Sequence, residues 1–330
     1  MRKILIPPVV LFLTTSALAE DFTIATFNAE FLVMERVHVK YGLSFNMSDN
    51  SKSEQDEWDP AEFRTQRFKQ AVDRVAKMIA GIETDVLVLT EVDDGLELKL
   101  LVDAIAENGT TYPHFEVCDC NDRSTGQHVA ILSKRPFIDS KTMLSLPGRA
   151  AFDAEVDDPD EQRDTGISKG MRVAVNVENN AGDMVPVYIF GLHLVSERGG
   201  FDIDQQRIAQ ATIARRHAVE LLNRGEHVIV VGDLNDRRGQ PTLRRLRGMD
   251  DIWPDLIQTG HWSYFEPEQE ASRWTYQFRG QLIQIDHILL SYSLRKNQDD
   301  AVSTSVMDVP QDENPSISDH RPVIVSLEMP

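Results

Sequence analysis

Six polar positions in this chain stand where short apolar runs begin or end, and their side chains can hold cations, move protons and grip phosphate oxygens. They are Asn28, Glu91, His193, the pair Asp233 and Asn235, Asp286, and the dipeptide Asp319-His320 just ahead of a closing apolar run. Hard divalent cations such as Mg2+ prefer carboxylate and water oxygens and often take only one or two protein carboxylates. Glu91 and Asp319 are of the right type for that. Imidazoles stabilise charge and transfer protons near neutral pH, which His193 and His320 could do. Hydrolysis of a phosphodiester needs an activated water, a counter-charge and an acid for the departing alkoxide. The clusters supply all three, and together they read as a cation-assisted phosphodiesterase site.

Each cluster alone has a plainer explanation. Gly232-Asp233-Leu234-Asn235 fits a turn closed by an Asx hydrogen bond. Glu91 would serve as a helix cap after its strand, and a histidine among apolar neighbours such as His193 is commonly a satisfied core residue. Asp233 and Asn235 do lie one residue apart, which in extended chain puts both side chains on one side. There a carboxylate can take a proton while an amide donates to a phosphate oxygen.

The elements that must position these residues are short and numerous. Apolar runs of strand length span Phe22 to Phe27, Asp85 to Thr90, His128 to Leu132, Met171 to Val177, Val185 to Leu192, His227 to Val231, Ile285 to Leu290 and Pro322 to Leu327. Several are apolar on both faces, as strands covered on both sides must be. Helical spacing alternates with them, so the class is α/β or α+β. One helix is predicted from Asp59, which caps with Pro60 and Glu62, through Phe68, Val72, Val75 and Ile79 to a stop at Gly81. A second is expected over Leu96 to Glu107. A third is expected over Ile203 to Asn223, with Ile208, Ala211, Ala218 and Leu222 inward and Arg207, Arg215 and Arg216 in solvent. Met34 to Trp58 and Phe152 to Gly170 lack periodicity and read as surface insertions, either lids or plain loops.

Arg2-Lys3, an apolar stretch from Ile4 to Leu13 and Ala17-Leu18-Ala19 match a secretory signal peptide cleaved after Ala19. The apolar part is shorter than the ~20 residues that span a bilayer. The expectation is therefore an exported chain, secreted or periplasmic, with no membrane span after cleavage. Residues 20–330 would form one domain, because the clusters run from Asn28 to His320. Without Arg2 and Lys3, 32 basic side chains face 53 acidic ones, a formal charge of −21. That excludes a broad basic face for nucleic acid but not a nuclease that works through cations. Cys118 and Cys120 could form a disulfide in an exported protein, although an i, i+2 bridge closes a cramped ring. A zinc site would want more ligands than they offer.

Phe22-Thr23-Ile24-Ala25-Thr26-Phe27-Asn28, Leu89-Thr90-Glu91, Gly191-Leu192-His193, Gly232-Asp233-Leu234-Asn235, Ile285-Asp286-His287-Ile288-Leu289-Leu290-Ser291 and Ser318-Asp319-His320-Arg321-Pro322 resemble, in order, the motifs of the endonuclease/exonuclease/phosphatase superfamily. The resemblance covers essentially all of residues 20–330. It implies a four-layered α/β sandwich of two packed mixed sheets with helices outside, as in deoxyribonuclease I. By that likeness Glu91 and Asp319, with Asn28 nearby, would bind Mg2+ or else Mn2+ or Ca2+. His320 oriented by Asp286, together with His193, would contact the scissile phosphate, while Asp233 and Asn235 would position nucleophile and phosphate. Two departures stand out: glutamate follows Thr90 where glutamine is common, and Phe27 precedes Asn28 where tryptophan is common. His193 is like deoxyribonuclease I and bacterial sphingomyelinases and unlike the abasic-site repair enzymes. The expectation is a monomer acting on a phosphodiester, nucleic acid first and a phospholipid head group second. A catalytically silent binding protein is the alternative of a different class.

Some residues stay open on sequence alone. Gln127 could assist His193 or satisfy backbone. Lys169 and Arg172 could meet phosphate or solvent, and Arg273-Trp274-Thr275-Tyr276 could stack a base or pack inside.

Overall fold

Period-two alternation in the strands sets the layers of this protein. The computed structural model describes residues 21–40, 60–120, 122, 124–153, 163–248, 256–258, 273–278, 280–295, 302–310 and 317–330. One six-stranded mixed sheet joins β1 (Phe22–Leu32), β2 (Val86–Val92), β3 (His114–Val117), β4 (His128–Ser133), β14 (Val302–Val306) and β15 (Val323–Leu327), in the order β14-β15-β1-β2-β4-β3. A five-stranded mixed sheet joins β7 (Gly170–Glu178), β8 (Met184–His193), β9 (His227–Asp233), β10 (Leu256–Gln258) and β13 (Asp286–Ser291), in the order β10-β13-β9-β8-β7. Two ribbons, β5 (Ala150–Phe152) with β6 (Arg163–Thr165) and β11 (Tyr276–Phe278) with β12 (Gln281–Ile283), complete the strands.

Ile24, Val86, Val88 and Ile131 on the first sheet meet Val173, Ile189, Ile229 and Ile288 on the second in one apolar core. The intervening residues point the other way. Phe27, Leu87, Leu89 and Leu132 pack on α2 (Pro60–Ala80) and α3 (Gly95–Glu107). Phe190, Val228, Val230 and Leu289 pack on α4 (Phe201–Leu222) and α5 (Pro241–Arg247). Each such side chain removed from water contributes about 1.5–3 kcal/mol, and every layer shares in it. The result is a helix–sheet–sheet–helix sandwich, as the resemblance implies. No helix among the described residues is long and apolar enough to cross a membrane.

The helices follow their periodicity closely. Phe68, Val72, Val75 and Ile79 are the buried stripe of α2, which ends at Gly81. Its predicted cap, Asp59, lies outside the described residues. Along α4 the expected solvated Arg207 is in fact buried, donating to the Ser196 carbonyl and to Asp204. Its paired guanidinium satisfies the cost of burial that an unpaired one would carry. Arg215 is half-buried and donates to the Leu246 carbonyl. Ile208, expected inward, is only half-buried, and Gln210 and Ala214 turn inward on the same helix.

Both expected insertions need correcting where they are described. After a 3-10 turn at Met34–Arg36, α1 (Val37–Lys40) is docked: Val37 is buried, and Lys40 Nζ donates to the carbonyls of Ala29 at 3.0 Å and Ile317 at 2.6 Å. Residues 41–58 lie outside the described residues. The second segment begins as the β5–β6 ribbon, where Ala150 packs on Ala209 and Ile213 of α4. Cys118 and Cys120 are joined as a disulfide, which leaves no thiolate for zinc.

Strand direction brings the polar ends together. β1 runs parallel to β2 and places Asn28 beside Thr90, while β8 runs parallel to β9 and places His193 beside Asp233. β13 is antiparallel to β9, so its first residue, Asp286, faces Asp233. β15 is antiparallel to β1, so the loop ahead of it delivers His320 to the same edge.

Candidate active site

Gly232 sets the approach to this edge. At φ +139° its added Cβ would lie 2.0 Å from the Leu192 carbonyl oxygen, so only glycine lets β9 press against β8 before Asp233. Glu30, Phe31, Glu91 and Asn235 all take left-handed φ values, between 48° and 60°. At the first three of these the pairing of β1 with β2, and of β2 with β4, shifts register. Such bulges re-aim side chains at strand ends, and strained backbone of this kind clusters where function is built.

The side chains so aimed converge. Asp286 Oδ2 holds His320 Nδ1 at 2.8 Å, and His320 Nε2 then faces Asp233 Oδ2 at 4.0 Å and Asp319 Oδ1 at 3.8 Å. His193 Nε2 lies 3.8 Å from both Glu91 Oε1 and Asp233 Oδ2. Asn28 Nδ2 donates to those same two oxygens, at 3.2 and 3.0 Å, while its Oδ1 accepts from the Glu30 N–H. In this geometry Asn28 holds the two carboxylates side by side. Asn235 does related work: its backbone N–H donates to Asp233 Oδ1 and its Nδ2 to the Leu194 carbonyl. Asp319 is set apart, with its side chain 42% exposed on the cavity wall beside His320.

Burial and crowding control protonation here. Burial and the nearby Asp286 push the Asp233 carboxyl up to about 8, against the pull of His320. His193 is held well below 6.5 by burial, then by Lys169 and His320. For His320, burial lowers the proton affinity, but the charge and hydrogen bond of Asp286 outweigh it and carry the group well above 6.5. The pocket therefore pairs a neutral His193 with a cationic His320. Glu91, His193 and Asp233 bring ligand atoms within 4.8 Å of one another. Glu91 adds its charge to the burial and the Asp286 charge that raise Asp233. A hard, oxygen-seeking divalent cation would offset the charge of these carboxylates, so their oxygens fit such an ion.

The cavity around these groups measures about 880 Å³ and reaches beyond them. On one flank Lys169 Nζ donates to Gln127 Oε1 at 3.1 Å and pairs with Asp122 at 3.3 Å. Gln127 thus meets Lys169, whereas Arg172 turns away to the Lys141 carbonyl and the Tyr188 ring. On the other flank the Tyr276 ring lies 4.6 Å from the His320 ring, and Arg198 donates to its hydroxyl at 2.5 Å. Trp274 is half-buried under the Arg321 guanidinium. The tyrosine's contact with His320 has no signal in the local sequence, because it rests on a β-bridge between distant segments.

Asp122 offers a direct stability test. Burial opposes its ionisation, but the Ser124 and Thr125 hydroxyls and Lys169 hold its carboxyl well below 3.8. A carboxyl depressed on folding stabilises above its unfolded value, and that contribution fades as the pH falls below it. Asp122→Asn is therefore expected to cost about 1.5–3 kcal/mol at pH 7, the worth of hydrogen bonds to a charged group. In denaturant titrations the gap between the two proteins should begin to narrow below about pH 4 and close only at still lower pH.

The sequence model of the Endonuclease/Exonuclease/phosphatase family matches residues 25–320. An endonuclease/exonuclease/phosphatase family protein from Bacteroides thetaiotaomicron shares the fold at TM-score 0.53 and 16% identity, over 94% of this chain and 99% of that one. Truncated TDP2 from Caenorhabditis elegans does so at TM-score 0.54 and 15% identity, over 93% and 97%. A mutant beta toxin from Staphylococcus aureus with bound magnesium ions aligns at TM-score 0.52 and 16% identity, over 93% and 99%. At such identities the likeness speaks for the fold. No curated protein sequence matches the chain at a significant level.

Proposed function

The chain belongs to the endonuclease/exonuclease/phosphatase family, and on that premise we propose that it is a divalent-metal-dependent phosphodiesterase, a nuclease, exported by its Arg2–Ala19 signal. The observation that carries the reading is the 2.8 Å Asp286–His320 pair, whose free Nε2 faces Asp233 across the cavity. Asp286 fixes the His320 tautomer with its proton on Nδ1, so a cationic His320 offers the Nε2 proton to the phosphate or to the leaving oxygen. Asp233, with a proton affinity raised toward neutrality, is matched to take a proton from the attacking water. As water oxygen bonds to phosphorus the ester P–O bond breaks, and the alkoxide leaves with a proton from the imidazolium. Neutral His193 stands beside both carboxylates and can donate to a non-bridging oxygen. Asn28 and Asn235 hold Asp233 in register. Glu91 and Asp319 would hold a Mg2+ or similar ion, which would supply Lewis-acid stabilisation of the phosphate. The beta toxin structure with magnesium supports that choice of ion.

A lipid substrate is the weaker reading. The β11–β12 ribbon beside the site turns Tyr276 inward on His320, and Leu282, 48% exposed, is the large apolar side chain it shows among the described residues. One exposed leucine is ordinary surface.

Chelation tests the proposal. Turnover of bis(p-nitrophenyl) phosphate and of DNA should fall at least about 100-fold in EDTA and return with added Mg2+. Full activity in chelator would defeat the mechanism. A folded, metal-replete chain inert on DNA, RNA, choline lipid and phosphomonoesters would point to a binding protein instead.

A further inference from the structure

We propose that the cavity grips the phosphates on either side of the scissile one, so that the substrate is a polynucleotide strand with at least three consecutive phosphates. This rests on the phosphodiesterase reading and adds the substrate's minimum length. The order β7-β8-β9-β13 sets Lys169, His193, Asp233 and Asp286 in a row along one sheet edge. Neighbouring strands lie about 4.8 Å apart, so the row extends roughly 14 Å. His320 and then Tyr276 carry it further, to Arg198 at the Tyr276 hydroxyl. Reacting groups occupy the middle, and cations mark both ends.

At the β7 end Lys169 is only 9% exposed yet lines the cavity. Gln127 and Asp122 take two of its hydrogen-bond directions, and an ammonium has three. At the other end Arg198 and Arg237 both line the cavity, with Arg237 leaning on Glu197 at 3.5 Å. A lone phosphate ester centred on Asp233 lies about two strand spacings, roughly 10 Å, from Lys169, and the Arg198 end of the row lies beyond His320 and Tyr276. A strand that carries a charge at every nucleotide reaches both. With a formal charge of −21 after loss of Arg2 and Lys3, affinity for a polyanion is better supplied by placed cations such as these than by a diffuse basic surface.

The test compares bis(p-nitrophenyl) phosphate with deoxyoligonucleotides of one to five phosphates, on wild type, Arg198→Ala and Lys169→Met, each checked for folding by thermal melt. For wild type, kcat/KM is expected to climb at least about 10-fold as a phosphate is added on each side, and then to level off. In each variant the ratio of kcat/KM on the three-phosphate substrate to that on the small diester should fall about 10-fold. The slope of log KM against log salt on that oligonucleotide should shrink by about 0.7. Arg198 is on the surface, so its variant stays informative if Lys169→Met does not fold. A flat length profile, unchanged slopes, or faster turnover of choline-lipid vesicles would overturn the inference while small-diester turnover keeps the phosphodiesterase reading alive. No turnover of any diester would remove both.

Discussion

His320→Ala is expected to lower kcat on a phosphodiester by about 10²–10⁴-fold, the range for loss of a positioned proton-transfer group. The same change leaves the Asp286 carboxylate 1% exposed without its 2.8 Å partner. Stranding one member of a buried pair costs about 3–5 kcal/mol, so the single variant should also melt earlier. Adding Asp286→Asn removes the stranded charge, and it should recover much of the stability and none of the rate. A double variant that regained activity would show that His320 works only as packing. The pH dependence has a definite sign. Because His320 binds its proton more tightly in the folded state, the stabilisation is complete below an unfolded value near 6.5 and is lost as pH rises through the folded value. The stability gap between wild type and His320→Ala should therefore narrow toward alkaline pH.

Asp233→Asn is expected to reduce kcat by about 10³-fold or more, since an amide cannot accept the water's proton. The effect on folding runs the other way. Asp233 goes from an ordinary 3.8 to about 8 in the folded chain, so in chelator the wild type should lose stability as pH rises between those values. The variant should lack that slope. Its amide must keep accepting from the Asn235 N–H, which turns its NH2 toward the NH2 of Asn28. One unpaired buried donor there costs about 1–3 kcal/mol and offsets the relief of charge, so the melting temperatures near pH 7 should lie close together. A variant that melts far below wild type at every pH would make loss of fold, and not loss of the base, the cause of inactivity.

The strand ends could be read from the chain because an apolar run that stops on Asp, His or Glu is a local pattern. The same holds for α2, whose stripe of Phe68, Val72, Val75 and Ile79 needs no partner to be recognised. What the chain hid depends on distance. Asn28 reads from the chain as a neighbour of the cation, yet its amide bridges to Asp233 across 205 positions. Lys40 fell within a segment of no periodicity, and its role emerges only at the Ile317 carbonyl, 277 positions away. Arg207 looks solvated from its spacing, which carries no information about the Ser196 carbonyl that receives it. Tyr276 reaches His320 through a β-bridge and Arg198 reaches the Tyr276 hydroxyl, pairings between distant segments that hydrophobic pattern does not encode.

The placement of β15 between β14 and β1 has a kinetic consequence. The His320 loop reaches the site only when β15 docks against β1, a pairing that joins Thr26 to Val323 across nearly the whole described chain. Contacts of such separation close slowly, because much chain entropy must be surrendered before they reward it. The acid is in place only once that pairing has formed, so on refolding the recovery of turnover is expected to match or lag β1–β15 docking and never to precede it.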